Sequence, residues 1–73
     1  MTFAAALNAE MDRQQHTQAD VARETGIDRA VISRYCNAQR EPALAQFAVL
    51  TAHYPRLLLW LVQEAFTLEK GWR

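Results

Sequence analysis

The chain has 73 residues, with eight Lys and Arg, eight Asp and Glu, and a formal net charge of zero. That length bounds it to one small domain over residues 1–73 with a modest core. A single cysteine and two well-separated histidines exclude an internal disulfide and leave no recognisable zinc set. A 51% hydrophobic content with only 22% charged residues marks a chain that folds rather than stays disordered.

The first twelve residues carry no Lys or Arg, so a secretory n-region is missing. The longest purely apolar run, Leu57 to Val62, is far short of the roughly 20 residues needed to span a bilayer. A cytoplasmic protein without membrane association is expected, and Cys36 fits a reducing compartment.

Ala, Leu, Gln, Glu and Arg dominate, and the reading is all-α with five helices. The first is predicted from about Thr2 to Gln14, capped by Thr2, with Phe3, Leu7 and Met11 on one face. The second is short, about Gln18 to Glu24, with Thr17 as N-cap and Val21 and Ala22 inward. Gly26 then supplies the positive φ of a tight exit. The third follows Asp28 as cap and ends near Asn37, with Val31, Ile32 and Tyr35 as its inner stripe. Pro42 is expected to open the fourth, with Leu44, Phe47, Ala48 and Leu50 inward. Pro55 starts the fifth, which is expected to end near Lys70.

The segment Gln18–Tyr35 meets the demands of a helix-turn-helix, in which two helices cross at about 90–120° through a short turn. Ala22 is small where the helices cross, Gly26 tolerates the turn, Ile27 plugs the gap after it, and Ile32 and Tyr35 bury the second helix. The stretch TQADVARETGIDRAVISRYCNAQREP, Thr17 to Pro42, resembles the phage Cro/C1-repressor (XRE) family. The TQ, VA, G-Ile and IS pairs, and a Pro ten residues after Ile32, fall at the family's spacings. The resemblance implies a five-helix, lambda-repressor-like DNA-binding domain with the helix-turn-helix at helices 2 and 3. The chain departs from the family where Thr25 stands for a hydrophobe, Cys36 for Glu and Ala38 for Gly, which points to a differently shaped loop after the third helix.

In such a motif the second helix of the pair enters the major groove of double-stranded DNA. The outward residues Arg29, Ala30, Ser33 and Arg34 are the base-reading candidates. An Arg can fork to guanine O6 and N7, Ala can touch a thymine methyl, and Ser bonds several base edges. The resemblance puts Gln18, at a helix N-terminus, against phosphate, where free N–H groups favour an anion. Asn37, Gln39 and Arg40 follow the recognition helix and are expected to grip the same strand, with Arg13 as a further phosphate candidate. From Arg13 to Arg40, five Arg face Asp20, Glu24 and Asp28, a balance of +2 that the acids elsewhere cancel. The global zero predicts weak non-specific DNA binding, so specificity rests on base contacts and paired subunits.

On a helical wheel the apolar residues of the fifth helix, about residues 56–70, spread over roughly 200°, where one core-facing helix needs only about 100°. Leu58, Trp60, Val62, Phe66 and Trp72 are expected at a dimer interface, and Leu57, Leu61 and Leu68 in the core. The resemblance implies a homodimer on a pseudo-palindromic operator. His16 is expected to be exposed before the Thr17 cap. No paired carboxylates, Gly-rich phosphate loop or activated nucleophile is visible, so an enzyme is not expected, nor a metal, cofactor or small-molecule ligand. The competing reading is a protein-interaction module, antitoxin-like or accessory, that uses the apolar last helix to hold a different protein.

Overall fold

The structure is a computed structural model that describes residues 2–62. Four helices follow in chain order, α1 (Phe3–Gln14), α2 (Gln18–Thr25), α3 (Arg29–Cys36) and α4 (Leu44–His53). A further helical stretch, α5, occupies residues 56–62. No strand occurs among the described residues. No helix among them is long and apolar enough to cross a membrane.

Local chemistry sets the helix starts. Thr2 Oγ1 accepts from the Ala5 N–H at 3.1 Å and caps α1. At α2 the Thr17 hydroxyl accepts from the Asp20 N–H (3.2 Å) while the Asp20 carboxylate accepts from the Thr17 N–H (2.8 Å). This reciprocal capping box uses Asp where Glu or Gln is more usual. Asp28 Oδ1 accepts from the Ala30 N–H at 3.0 Å, so this carboxylate caps α3 as expected.

The helix exits hold two features that composition hid. Gly26 has φ +74° after α2, the predicted positive-φ turn. Gln15 and Ala38 adopt φ +59° without being glycine. After α3 the Gln39 N–H reaches Arg34 O (2.9 Å) and the Ala38 N–H reaches Tyr35 O (3.2 Å). After α1 the His16 and Gln15 N–H groups reach Met11 O and Asp12 O in the same way (2.9 and 3.2 Å). Both are Schellman wraps, which need a left-handed residue and normally recruit glycine. The loop after α3 therefore takes the shape a glycine would give, with Ala38 bearing the strain.

The core gathers Leu7, Val21, Ile32, Tyr35, Leu50, Tyr54 and Leu57, with Ala6, Met11 and Cys36 closing it. α3 packs on both α1 and α2, and α4 packs on α2. Phe3 lies edge-on to Tyr35 and tilted against Phe47, tying the start of α1 to α3 and α4. The Cys36 thiol lies 3.6 Å from the Met11 thioether, and burial pushes its pKa up, which suits a packing residue.

Helix α4 corrects the sequence reading in two ways. It starts at Leu44, with Ala43 rather than Pro42 at its boundary and no side-chain cap. Leu44 is 83% exposed and Ala48 is also exposed, although both were expected inward. Leu50 sets the phase: at about 100° per residue, Phe47 lies about 60° from it but Leu44 about 120° and Ala48 about 160°. His16 is also corrected. Its ring is half-buried, edge-on to Tyr54, with Nδ1 3.1 Å from the Tyr54 hydroxyl.

Candidate nucleic-acid interface

α3 is wedged against α1 and α2 by Ile32 and Tyr35, both buried, with Val31 half-buried beside them. That packing decides which side of an eight-residue helix is left over. Arg29, Ala30 and Arg34 are exposed and Ser33 is half-buried, so the base-reading candidates fall on the free side of one helix. Asn37, Gln39 and Arg40 continue that surface, all exposed. Asn37 Nδ2 donates to the Ser33 hydroxyl at 3.4 Å, linking a phosphate candidate to a base candidate. Gln18 opens α2, half-buried, in the first turn below the Thr17 cap.

The arginines from α1 to the loop after α3 divide into two groups. Arg23 Nη2 lies 2.6 Å from Asp20 Oδ1, and Arg13 Nη2 lies 2.7 Å from Glu10 Oε2. Arg29, Arg34 and Arg40 have no carboxylate at ion-pair distance among the described residues. Their guanidinium groups carry the positive potential of this face. The hydrogen bond from the Thr17 backbone N–H and the one from the Arg23 guanidinium hold the Asp20 carboxyl below its ordinary range, so this acid stays charged inside its cap.

Arg13 is engaged elsewhere. Its Nε and Nη2 donate to Glu10 Oε1 and Oε2 at 2.9 and 2.7 Å, Gln14 Nε2 donates to Oε2 at 2.7 Å, and Trp60 Nε1 donates to Oε1 at 3.4 Å. Glu10 is fully buried, yet every acceptor direction of its carboxylate is used. The Arg13 bonds outweigh burial and lower its pKa from 4.5 to about 2. Sequence reading missed this cluster. The available signal was the place of Glu10, three residues after Leu7 and beside Met11, on the inward side of an otherwise regular apolar stripe.

The outer face of α5 carries Leu58 (45% exposed), Leu59 (53%) and Val62 (57%). Leu57 is buried in the core, and Leu61 and Trp60 pack partly buried against it. Trp60, expected at the interface, thus packs against the core of its own domain. Leu59 joins the exposed set in its place. Phe66 and Trp72 lie outside the described residues, as do Leu68 and Lys70.

A shallow cavity of about 170 Å³ lies apart from the α3 surface, lined by Gln14, His16, Glu24, His53 and Tyr54. Among the described residues no group of three or more His, Cys, Asp or Glu could hold a metal ion. In comparison with known proteins, a family model described as helix-turn-helix matches residues 7–60, which takes in the whole of α2 through α4. No curated protein and no solved structure matches the chain.

Proposed function

The chain belongs to the Cro/C1-type (XRE) helix-turn-helix family of DNA-binding regulators, with the lambda-repressor-like all-α fold, and from that premise we propose that it is a sequence-specific repressor acting as a homodimer on a pseudo-palindromic operator. The observation that carries the reading is the free side of α3, where Arg29, Ala30, Ser33 and Arg34 are presented together by a buried Ile32–Tyr35 stripe. Arg29 and Arg34 fork to guanines in the major groove and Ala30 meets a thymine methyl. Gln18, Asn37, Gln39 and Arg40 bind phosphate and fix the register of α3 without reading sequence. Arg13, held by Glu10, is the weakest member of the phosphate set. A protein of this kind works on DNA inside the cell and represses by occupying its site.

Two subunits meet through Leu58, Leu59 and Val62, with Phe66 and Trp72 continuing the apolar sequence. An exposed apolar cluster of this kind marks an interaction surface. The same observation favours a second reading, in which a different protein covers that face. Half-sites of a homodimer lie about one helical turn apart, roughly 34–36 Å.

Selection of bound sequences from a random DNA pool tests the proposal. The expected outcome is an enriched, two-fold symmetric site with that spacing. No enrichment overturns DNA reading, and an asymmetric single half-site overturns the homodimer. The salt response is a second measure: roughly 8–10 phosphates per dimer predict a log–log slope of about −7 to −9. A nearly flat response refutes the phosphate set.

A further inference from the structure

The fifth helix has a rotational ambiguity built into its sequence. Leu57 to Val62 are six apolar residues in a row, so hydrophobicity alone does not choose which side turns inward. At about 100° per residue, Trp60, Leu57 and Leu61 share one arc of about 100°. Leu58, Val62 and Leu59 share another of about the same width, on the far side. A half-turn of α5 would exchange a Trp–Leu–Leu face for a Leu–Val–Leu face of similar character. The structure nonetheless turns the first inward, with Leu57 buried and Trp60 and Leu61 partly buried, and exposes the second.

We propose that Glu10 is the positioning residue that fixes the rotation of α5, by accepting the Trp60 indole N–H, and so turns Leu58, Leu59 and Val62 outward toward a second copy of the chain. The last part rests on the homodimer reading above. Three observations carry the inference. Trp60 is the one residue of the Leu57–Val62 run with a polar side-chain atom, so it alone can be distinguished by a hydrogen bond. Glu10 is fully buried, and its carboxylate is held from within α1 by Arg13 and Gln14, so the acceptor stands in place whatever α5 does. The 3.4 Å bond from Trp60 Nε1 to Glu10 Oε1 is the polar link between α1 and α5. A rotated α5 would set a leucine against that carboxylate, leaving Oε1 with Arg13 Nε as its one donor and its second acceptor direction facing apolar atoms, a cost that the Trp60 face does not carry. One polar group in an apolar seam choosing a single register is a known use of buried polarity.

Thiol accessibility reads the rotation directly. Leu57→Cys and Leu58→Cys are made separately, with buried Cys36 kept as a slow internal reference. Labelling is followed at a concentration where sedimentation shows monomer. With Glu10 present, position 58 is expected to react at least about tenfold faster than position 57, following the exposure of Leu58 and the burial of Leu57. Glu10→Leu is expected to collapse that ratio to below about threefold while helical circular dichroism is retained. Glu10→Gln, which keeps an acceptor oxygen for Trp60, is expected to preserve it. An unchanged ratio in folded Glu10→Leu overturns the proposal. If Glu10→Leu fails to fold, Trp60→Phe removes the same N–H without touching the carboxylate, and an unchanged ratio there overturns it equally. Sedimentation equilibrium treats the partner separately. Self-association is expected to weaken about tenfold or more in Glu10→Leu. A wild-type chain that stays monomeric at all concentrations refutes the second-copy face, and the labelling ratio still decides the role of Glu10.

Discussion

Two groups of arginines lie between α1 and the loop after α3, and the fold treats them differently. Arg13 and Arg23, on α1 and α2, are each bound to a carboxylate three residues earlier on the same helix. Arg29, Arg34 and Arg40, on α3 and the loop after it, meet no carboxylate at ion-pair distance among the described residues. The difference shows how a chain with zero net charge can present a basic surface. Intrahelical pairing neutralises the charge carried by α1 and α2 and leaves it on α3 and the loop after it. A residue count gives a balance of +2 from Arg13 to Arg40, but the pairing concentrates that excess on α3.

The comparison breaks most sharply at α3. Replacing both Arg29 and Arg34 by Ala is expected to cost about 2–6 kcal/mol of operator affinity, at roughly 1–3 kcal/mol per bidentate base contact. Selectivity should relax at the two positions those side chains read. Titration of the selected operator by gel shift or fluorescence anisotropy measures the loss, and thermal melting checks that the fold is intact. If the double variant binds like wild type, the unpaired arginines are only a solvated face.

The paired group is tested by acid. Glu10 has a folded pKa of about 2 against an ordinary 4.5, held down chiefly by the Arg13 hydrogen bonds. A lowered carboxyl pKa stabilises the folded state above the unfolded value, and that stability drains away as pH falls from about 4.5 toward 2. The amount at stake is about 3 kcal/mol, at about 1.4 kcal/mol per pKa unit. Urea midpoints measured from pH 6 down to pH 2 should therefore fall, and the fall should be much smaller in Glu10→Gln. Equal acid sensitivity in the two proteins would assign the loss to other carboxylates.

Much of this was legible in the sequence, and the reasons divide by range. The caps at Thr2, Thr17 and Asp28, the Gly26 turn and the Ile32–Tyr35 stripe depend on residues within a few positions of one another, so spacing reveals them. The outward set of α3 follows from that stripe by subtraction. What escaped was long-range or disguised. The Glu10–Trp60 bond joins residues 50 apart, and no local pattern announces it. The wheel of α5 shows an apolar arc too wide for one core but not which half turns inward, and it sets Trp60 outside that arc, on the side of Gln63 and Glu64, so its packing against the core is not legible there. Leu44 and Ala48 were misassigned for a related reason. In a helix as apolar as α4, only the phase set by Leu50 separates core from surface. The left-handed Gln15 and Ala38 were hidden because the Schellman wrap was filled by residues other than glycine.

Ala38 sharpens the comparison at the loop that carries Gln39 and Arg40. An L-residue in the left-handed region costs roughly 1–2 kcal/mol relative to glycine, partly offset by the extra freedom glycine gives the unfolded chain. Ala38→Gly is therefore expected to stabilise the protein by about 0.5–1 kcal/mol, read as a raised urea midpoint at constant m-value. Operator affinity should change little, because the loop keeps its path. A destabilised Ala38→Gly would show that the wrap after α3 differs from the one described.

The smallest expected effect falls on Arg23. Its partner Asp20 is fixed by the Thr17 cap, but the guanidinium is largely exposed, with 70% of its side chain open to solvent. Exposed ion pairs of this i,i+3 kind contribute about 0.2–0.5 kcal/mol and are screened by salt. Arg23→Ala should lower stability by no more than that and leave operator affinity within about twofold, because the Asp20 cap survives without it. Asp20→Ala removes the cap itself and should cost more, about 1 kcal/mol. The contrast separates the two functions of one carboxylate. If Arg23→Ala weakened DNA binding as strongly as Arg34→Ala, pairing would not be what divides the two groups of arginines, and the basic surface would extend across α2.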